Sequence, residues 1–257
     1  MRRVLAWVGI VVAVALAFGV GSAWPVIVRP PLVLGQDAVT DAASAGVTPV
    51  LETVGGGRVI DVPPPTGTSR KDVLVVLYPG GLVRPQAYEW LARALAVRGY
   101  ETVIPEFSFD LAVTDPGRAT ALIAHYGQGR KVVLAGHSVG GAMAAQYLAD
   151  EQRAGRRPAA GLVLMAAYPP DGADLSGSGL AALSLRAGND GVADPADVAG
   201  GLARLPAGTP LVDVQGAVHS FFGRYGPQAG DGVPGVSRAQ AEQQVVDAVA
   251  GFLGGLS

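Results

Sequence analysis

Ser138 is the residue in this chain best placed by its neighbours to act as a nucleophile. It sits in Gly136-His137-Ser138-Val139-Gly140, a G-x-S-x-G pattern. The apolar run Val132–Ala135 before it reads as a short buried strand, and the residues after it read as a helix. A serine at the tip of so tight a strand-to-helix turn sits in a strained backbone. Side chains at the flanking glycines would clash with the neighbouring strand and helix. The turn also places Ser138 at a helix N-terminus, where free N–H groups favour a developing oxyanion. A plain glycine-rich turn with an incidental serine has the same pentapeptide, so the rest of the chain must decide.

A serine nucleophile needs a base, and the chain has three histidines. His137 adjoins the serine; its ring is expected to point away from the hydroxyl and to help fix the turn. His125 falls at the far end of a helix, on the side where strands begin. His219 follows the strand Leu211–Val214, at the end where strands finish. The acid that orients it should come from a loop between Ser138 and His219. Asp190, in Gly188-Asn189-Asp190-Gly191 after the strand Leu183–Ala187, fits best. A carboxylate there can accept from the imidazole Nδ1–H and stabilise the imidazolium. Asn-Asp-Gly is also an ordinary turn sequence. The rivals are Asp171 and Asp174 in the preceding loop, Asp194 before a proline as a helix cap, and Asp213 inside a strand. An oxyanion hole needs two convergent N–H groups: Val139 after the serine, and Gly81 or Leu82 in the loop Tyr78-Pro79-Gly80-Gly81-Leu82. The loop aromatics Phe107, Phe109, Tyr168, Phe221 and Phe222 are candidates for an apolar pocket, with Phe107, Tyr168 and Phe221 preferred, and each is equally suited to plain core.

Elements that could position these residues alternate from Asp72 onward. Val73–Leu77 is a continuous β-branched-rich run, as in strands buried on both faces. A helix opens at Pro85 and stops at Gly99, placing Tyr88, Leu91 and Leu95 on one face. Thr102–Ile104 is a strand, 116–125 a helix, Val139–Arg153 the helix after Ser138, and Leu162–Ala166 a buried strand. A helix at 195–203 precedes the strand Leu211–Val214. The last helix starts at Ser237, whose pairing with Gln240 makes a capping box, and buries Ala241, Val245, Val249 and Phe252. This alternation predicts an α/β fold with a doubly wound, mostly parallel sheet, in which ligands bind beyond the carboxyl ends of the strands.

Composition narrows the partners. The 257 residues carry a net charge of -2, which gives no footprint for nucleic acid. The absence of cysteine removes disulfides, thiolate metal sites and a cysteine nucleophile, and three scattered histidines form no metal-ligand cluster. No nucleotide fingerprint or other cofactor motif is present. At the N-terminus, Met1-Arg2-Arg3 precedes an uncharged stretch reaching Val28, with Trp7 and Trp24 near its ends. Roughly 20 apolar residues span a bilayer, so residues 1–28 read as a transmembrane anchor. The N-terminus is then cytoplasmic and the remainder outside. The rival is a cleaved signal peptide, since Gly21-Ser22-Ala23 resembles a cleavage site. Residues 29–71 read as a linker in which Val47–Val54 and Arg58–Val62 could form an edge hairpin, and 72–257 as the main domain.

The stretches Tyr78-Pro79-Gly80-Gly81, Gly136–Gly141, Ala166-Ala167-Tyr168-Pro169, Gly188–Gly191 and His219-Ser220-Phe221-Phe222-Gly223 together resemble the α/β-hydrolase superfamily over roughly residues 72–255. The resemblance implies Ser138 as nucleophile, His219 as general base and then acid, and Asp190 as its orienter, in the chain order that superfamily uses. Two departures stand out. Many relatives have His-Gly where this chain has Pro79-Gly80, and dienelactone hydrolases, similar in size, use a cysteine. The activity implied is hydrolysis of a small-molecule or lipid-derived ester outside the cytoplasmic membrane. An acyltransferase with the same triad and an inactive binding module are the alternatives.

Overall fold

The computed structural model describes residues 46–256. The expected anchor at 1–28 and the linker up to residue 45 lie outside the described residues. Among the described residues no helix is long and apolar enough to cross a membrane.

Eight strands form one mixed, mostly parallel sheet in the order β1-β2-β4-β3-β5-β6-β7-β8. They are β1 (Val50–Val54), β2 (Gly57–Val62), β3 (Val73–Tyr78), β4 (Glu101–Pro105), β5 (Lys131–His137), β6 (Gly161–Met165), β7 (Ala181–Ala187) and β8 (Leu211–Val214). The helices are α1 (Glu89–Ala96), α2 (Ala119–Tyr126), α3 (Val139–Arg153), α4 (Pro195–Gly200) and α5 (Arg238–Gly254). Strands β3 to β8 run parallel to one another, and β2 pairs antiparallel with both β1 and β4.

The sheet divides the core in two, and the period-2 geometry of a strand explains how. Val73, Val75 and Leu77 of β3 face one layer with Leu91 and Leu95 of α1 and Val245, Val249 and Leu253 of α5. Leu74, Val76 and Tyr78 face the other layer with Leu122 of α2 and Ala144, Ala145 and Leu148 of α3. Helices on both faces are why these strands are apolar at every position rather than at every second one. Full burial of each Val or Leu among them contributes about 1.5–3 kcal/mol relative to exposure. The capping box at α5 forms as expected, Ser237 accepting from the Gln240 N–H. In its last turn Leu253 is fully buried while Phe252 is only partly so.

The hairpin anticipated in the linker is continuous with the sheet. Gly55 and Gly56 turn it with φ of 56° and 82°, the left-handed pair a two-residue hairpin requires. Strand β2 then pairs with β4 from Val59↔Pro105 to Val62↔Thr102. The Arg118 guanidinium, at the start of α2, donates to the carbonyls of Val54, Gly55 and Gly57 and pins the hairpin in place. The sheet therefore begins well before Asp72, the residue where the main domain was expected to start.

Asp61, in β2, is an unfavourable feature of this edge. It is 9% exposed and its Oδ1 has no hydrogen-bond partner. Burial, with Glu52 adding repulsion, pushes its carboxyl up to about 6. A carboxyl raised on folding gives stability that is complete below the unfolded value of about 4 and is lost as pH rises to about 6. Asp61→Asn is expected to stabilise the protein above pH 6 by about 1–3 kcal/mol and to flatten the pH dependence between pH 4 and 6. Urea unfolding across that range checks this, and an unchanged pH profile would contradict it.

Candidate active site

Strand β5 ends at His137, and the next residue turns the chain sharply. Ser138 has φ 52° and ψ −126°, a combination that L-residues rarely adopt. Its N–H donates to the Met165 carbonyl at 3.0 Å, and its own carbonyl accepts from Ala142 at 3.0 Å. The glycines around it are there for want of space. A Cβ on Gly136 would lie 2.5 Å from the Gly141 nitrogen, one on Gly140 2.2 Å from the Pro79 carbonyl oxygen, and one on Gly141 2.6 Å from the Ala167 Cβ. Strand, turn and helix thus pack backbone against backbone, and Ser138 is lifted out at the carboxyl end of the sheet.

Beside it, the loop after β3 is tied down through two side chains. The Gly80 N–H donates to the Tyr88 hydroxyl at 2.8 Å, and that hydroxyl lies 2.8 Å from His137 Nδ1. The buried hydroxyl accepts from Gly80 and has Nδ1 as the acceptor for its own proton, which assigns the His137 hydrogen to Nε2. Burial holds His137 well below the ordinary histidine range, proximity to His219 adds to this, and a contact with the His219 backbone opposes it. His137 is therefore neutral and structural, and it joins Ser138, the Gly80 loop and the His219 loop.

The two candidate oxyanion donors of that loop are not equivalent. The Leu82 N–H donates to the Asp110 carbonyl at 2.8 Å and is committed, which removes Leu82 from the expected set. Gly81 remains. It packs on Val139, whose Cγ2 would be 3.4 Å from a Cβ at Gly81. Val139 opens α3, so its own N–H has no partner within the helix. The two N–H groups belong to neighbouring residues.

His219 begins a short 3₁₀ turn, His219–Phe222, after β8. Its Nδ1 is 2.9 Å from Asp190 Oδ2, and both side chains are 1% exposed. The other oxygen, Oδ1, accepts from the N–H groups of Val192 and Ala193 at 2.8 Å each. With Nδ1 engaged by Asp190, Nε2 is the nitrogen left for a reacting group. The His219 ring lies 4.5 Å from that of His137, the residue before Ser138. Three loops, from β5, β7 and β8, therefore converge here.

The rival acids are used elsewhere. Asp213 pairs with Arg186, Asp171 is exposed beside Arg204, Asp174 caps the Ser176 N–H, and Asp194 caps α4 through the Ala196 N–H. His125 packs against Tyr126 at the end of α2. The three aromatics expected to line a pocket are not gathered together. Phe107 is buried edge-on to Tyr78 at 4.9 Å, Tyr168 packs against Gly201, and Phe221 lies under the Arg238 guanidinium at 4.5 Å. Phe222, by contrast, packs on His137 with ring centroids 5.6 Å apart. Among the described residues no cluster of three metal-ligating side chains occurs.

Residues 74–244 match the model of a family described as the alpha/beta hydrolase family. No protein of curated function matches the sequence. Among solved structures, a thermostable esterase from Pseudomonas putida is similar at a TM-score of 0.59 and 17% identity, covering 84% of this chain and 85% of that one. A bacterial membrane phospholipase A is similar at 0.58 and 16% identity, over 99% of both chains. A serine hydrolase without a lid from Xanthomonas campestris is similar at 0.52 and 19% identity, over 68% of this chain and 87% of that one. At such identities the likeness is one of fold.

Tyr88 was legible in the sequence only as a core position. Its hydroxyl is the link between Gly80 and His137, and it is fully buried. Tyr88→Phe leaves a buried N–H and a buried ring nitrogen unpaired, and is expected to destabilise the protein by about 1–3 kcal/mol. Urea denaturation measures this, and a loss below about 0.5 kcal/mol would mean that water replaces the hydroxyl.

Proposed function

The chain belongs to the alpha/beta hydrolase family, and we propose that it is a serine hydrolase cleaving a carboxylic ester, or a related acyl bond, through an acyl-enzyme on Ser138. The observation that carries this reading is the buried His219–Asp190 hydrogen bond on loops that converge with the strained Ser138 turn.

In this mechanism His219 Nε2 takes the Ser138 hydroxyl proton as the oxygen attacks the substrate carbonyl. The Asp190 carboxylate holds the imidazole with its hydrogen on Nδ1 and stabilises the imidazolium. The N–H groups of Gly81 and Val139 receive the oxyanion. His219 then returns the proton to the leaving alkoxide and the acyl-enzyme remains. Water attacks it with His219 again as base, and the acid is released with the Ser138 hydroxyl restored.

An ester fits the esterase and phospholipase among the similar structures. Only a short connection joins β6, ending at Met165, to β7, beginning at Ala181. That is too little chain for a large lid and favours small or accessible acyl groups over long triglycerides. The two arginines and the long uncharged stretch at the N-terminus support a single-pass anchor with the catalytic domain outside the cytoplasmic membrane.

Fluorophosphonate labelling of the full chain tests the reading. Labelling is expected for the wild type and is expected to disappear in Ser138→Ala and His219→Ala. On short-chain esters, Ser138→Ala should lower kcat by at least about a thousandfold, and Asp190→Asn by about a hundred- to ten-thousandfold. A folded wild type that neither labels nor turns over any ester would sink the assignment.

A further inference from the structure

The 3₁₀ turn that carries His219 has no capping group of its own. The residue before it is Val218, which has no side-chain acceptor for the first free N–H groups. Those N–H groups are satisfied from a distant position. Asp231 Oδ1 accepts from the His219 N–H at 2.9 Å, and Oδ2 accepts from the Ser220 N–H at 2.9 Å. The same carboxylate takes its neighbour Gly232 N–H at 2.8 Å and reaches the Gly191 N–H at 3.5 Å. Gly191 follows Asp190 directly. One carboxylate therefore touches the backbone of the histidine loop and of the acid loop.

The surrounding chain makes this bridge stiff. The Asn189 side chain donates to the Val233 carbonyl at 2.9 Å, and the Gly235 N–H donates to the Gly216 carbonyl at 2.8 Å. A Cβ on Gly232 would fall 1.8 Å from the Asn189 carbonyl oxygen, and one on Gly191 2.4 Å from the Gly230 oxygen. The segment 230–235 is thus interlocked with the Asp190 loop at backbone contact. At the carbonyl end of the His219 turn, Arg238 donates to Ser220 and Tyr225 at 2.9 Å each, and to Gly223. An anion caps the N–H end of the turn and a cation its carbonyl end, the signs that the turn dipole favours. Burial pushes the Asp231 carboxyl up, but the N–H groups of Ser220, Gly232 and His219 outweigh it and keep the carboxyl below its ordinary value, so it remains an anion.

We propose that Asp231 is a positioning residue for the His219–Asp190 pair: its carboxylate sets the rotation of the His219 turn relative to the Asp190 loop, and so the direction in which Nε2 faces Ser138. The inference rests on the serine hydrolase reading for its consequence in catalysis, while the bridge itself rests on the contacts above. Both Asp231 oxygens are engaged by backbone N–H groups, so its loss should slow the chemistry and spare binding.

The experiment uses the full chain with Asp231→Asn, Asp231→Ala and, as a control, Asp150→Asn, an exposed carboxylate on α3. With a short-chain ester, Asp231→Ala is expected to lower kcat by about 10- to 100-fold, since small misplacements of a catalytic group cost this much. Asp231→Asn, which keeps one acceptor oxygen, should lose less. KM should stay within about twofold in both, and the control should match the wild type. A second readout does not depend on turnover. The low-field proton resonance of the His219 Nδ1–H bond to Asp190 should broaden or vanish in the Asp231 variants and persist in the control. Folded Asp231 variants with wild-type kcat and an unaltered resonance would overturn the proposal. So would a raised KM at unchanged kcat, which would put Asp231 against the substrate. If Asp231→Ala does not fold, Asp231→Asn and the wild type decide: the His219 and Ser220 amides must exchange slowly with solvent, and fast exchange overturns the bridge. A wild type that fails to turn over esters speaks against the hydrolase reading alone, because the resonance and the exchange still test the contact.

Discussion

Everything at the carboxyl end of this sheet depends on one tight junction, where β5 stops, Ser138 turns and α3 starts. A residue held at φ 52° and ψ −126° does not keep that conformation by its own preference. It is kept there because β3 and β6 hydrogen-bond β5 on both sides, and because three glycines let α3 lie against the strand ends. The strain at one residue is balanced by the packing of many. The same closeness brings Val139 against Gly81, so the geometry of the nucleophile and that of the proposed oxyanion site are one constraint rather than two.

Much of the fold could be read along the chain because its strands are buried on both faces. Runs such as Val73–Leu77 and Leu162–Met165 are apolar at consecutive positions, and neither needs a partner to be recognised. The edge was harder. The residues of β1 are largely exposed, and their place in the sheet is set by the pairing of β2 with β4 and by Arg118, which is remote in sequence. No local pattern carries that information. The last helix shows the same limit in miniature: its cap is written in Ser237 and Gln240, but that Leu253 is buried outright while Phe252 packs at the margin of the same core depends on how the helix is rotated.

The candidate site divides in the same way. Ser138 announces itself by spacing, and with three histidines in the chain His219 follows by elimination. Asp190 follows because the other aspartates have their own tasks, some of which the sequence also shows. The ambiguity between Gly81 and Leu82 could not be resolved from the sequence, because the group that removes Leu82 is a backbone carbonyl in the loop after β4. Tyr88 and Asp231 were invisible for a related reason. Asp231 acts through backbone groups of other segments, and Tyr88 through one such group and a histidine 49 residues away; neither contact leaves a local pattern in the sequence to mark it. The loop aromatics are a different case: the sequence suits Phe107, Tyr168 and Phe221 equally to a pocket and to plain core, and a large apolar side chain in a loop packs on whichever neighbour removes it from water.

The pairing of His137 with His219 sets a last requirement on the electrostatics. Two imidazolium rings 4.5 Å apart would repel by on the order of 4 kcal/mol at an effective dielectric of about 20. In the proposed hydrolase, a charged neighbour at that distance would oppose the proton that the base takes up. Burial holds His137 neutral, and the Tyr88 hydroxyl occupies the nitrogen where a second proton would have to go. The Tyr88 phenol is itself pushed up by burial, so it stays a donor. Asp190 meanwhile presents one oxygen to His219 and ties the other to backbone N–H groups, which fixes its own orientation. The site is thereby asymmetric: of the two neighbouring histidines, His219 turns its Nδ1 to a carboxylate, while His137 is held neutral by burial, its own Nδ1 taken by the hydroxyl that also secures the Gly80 loop.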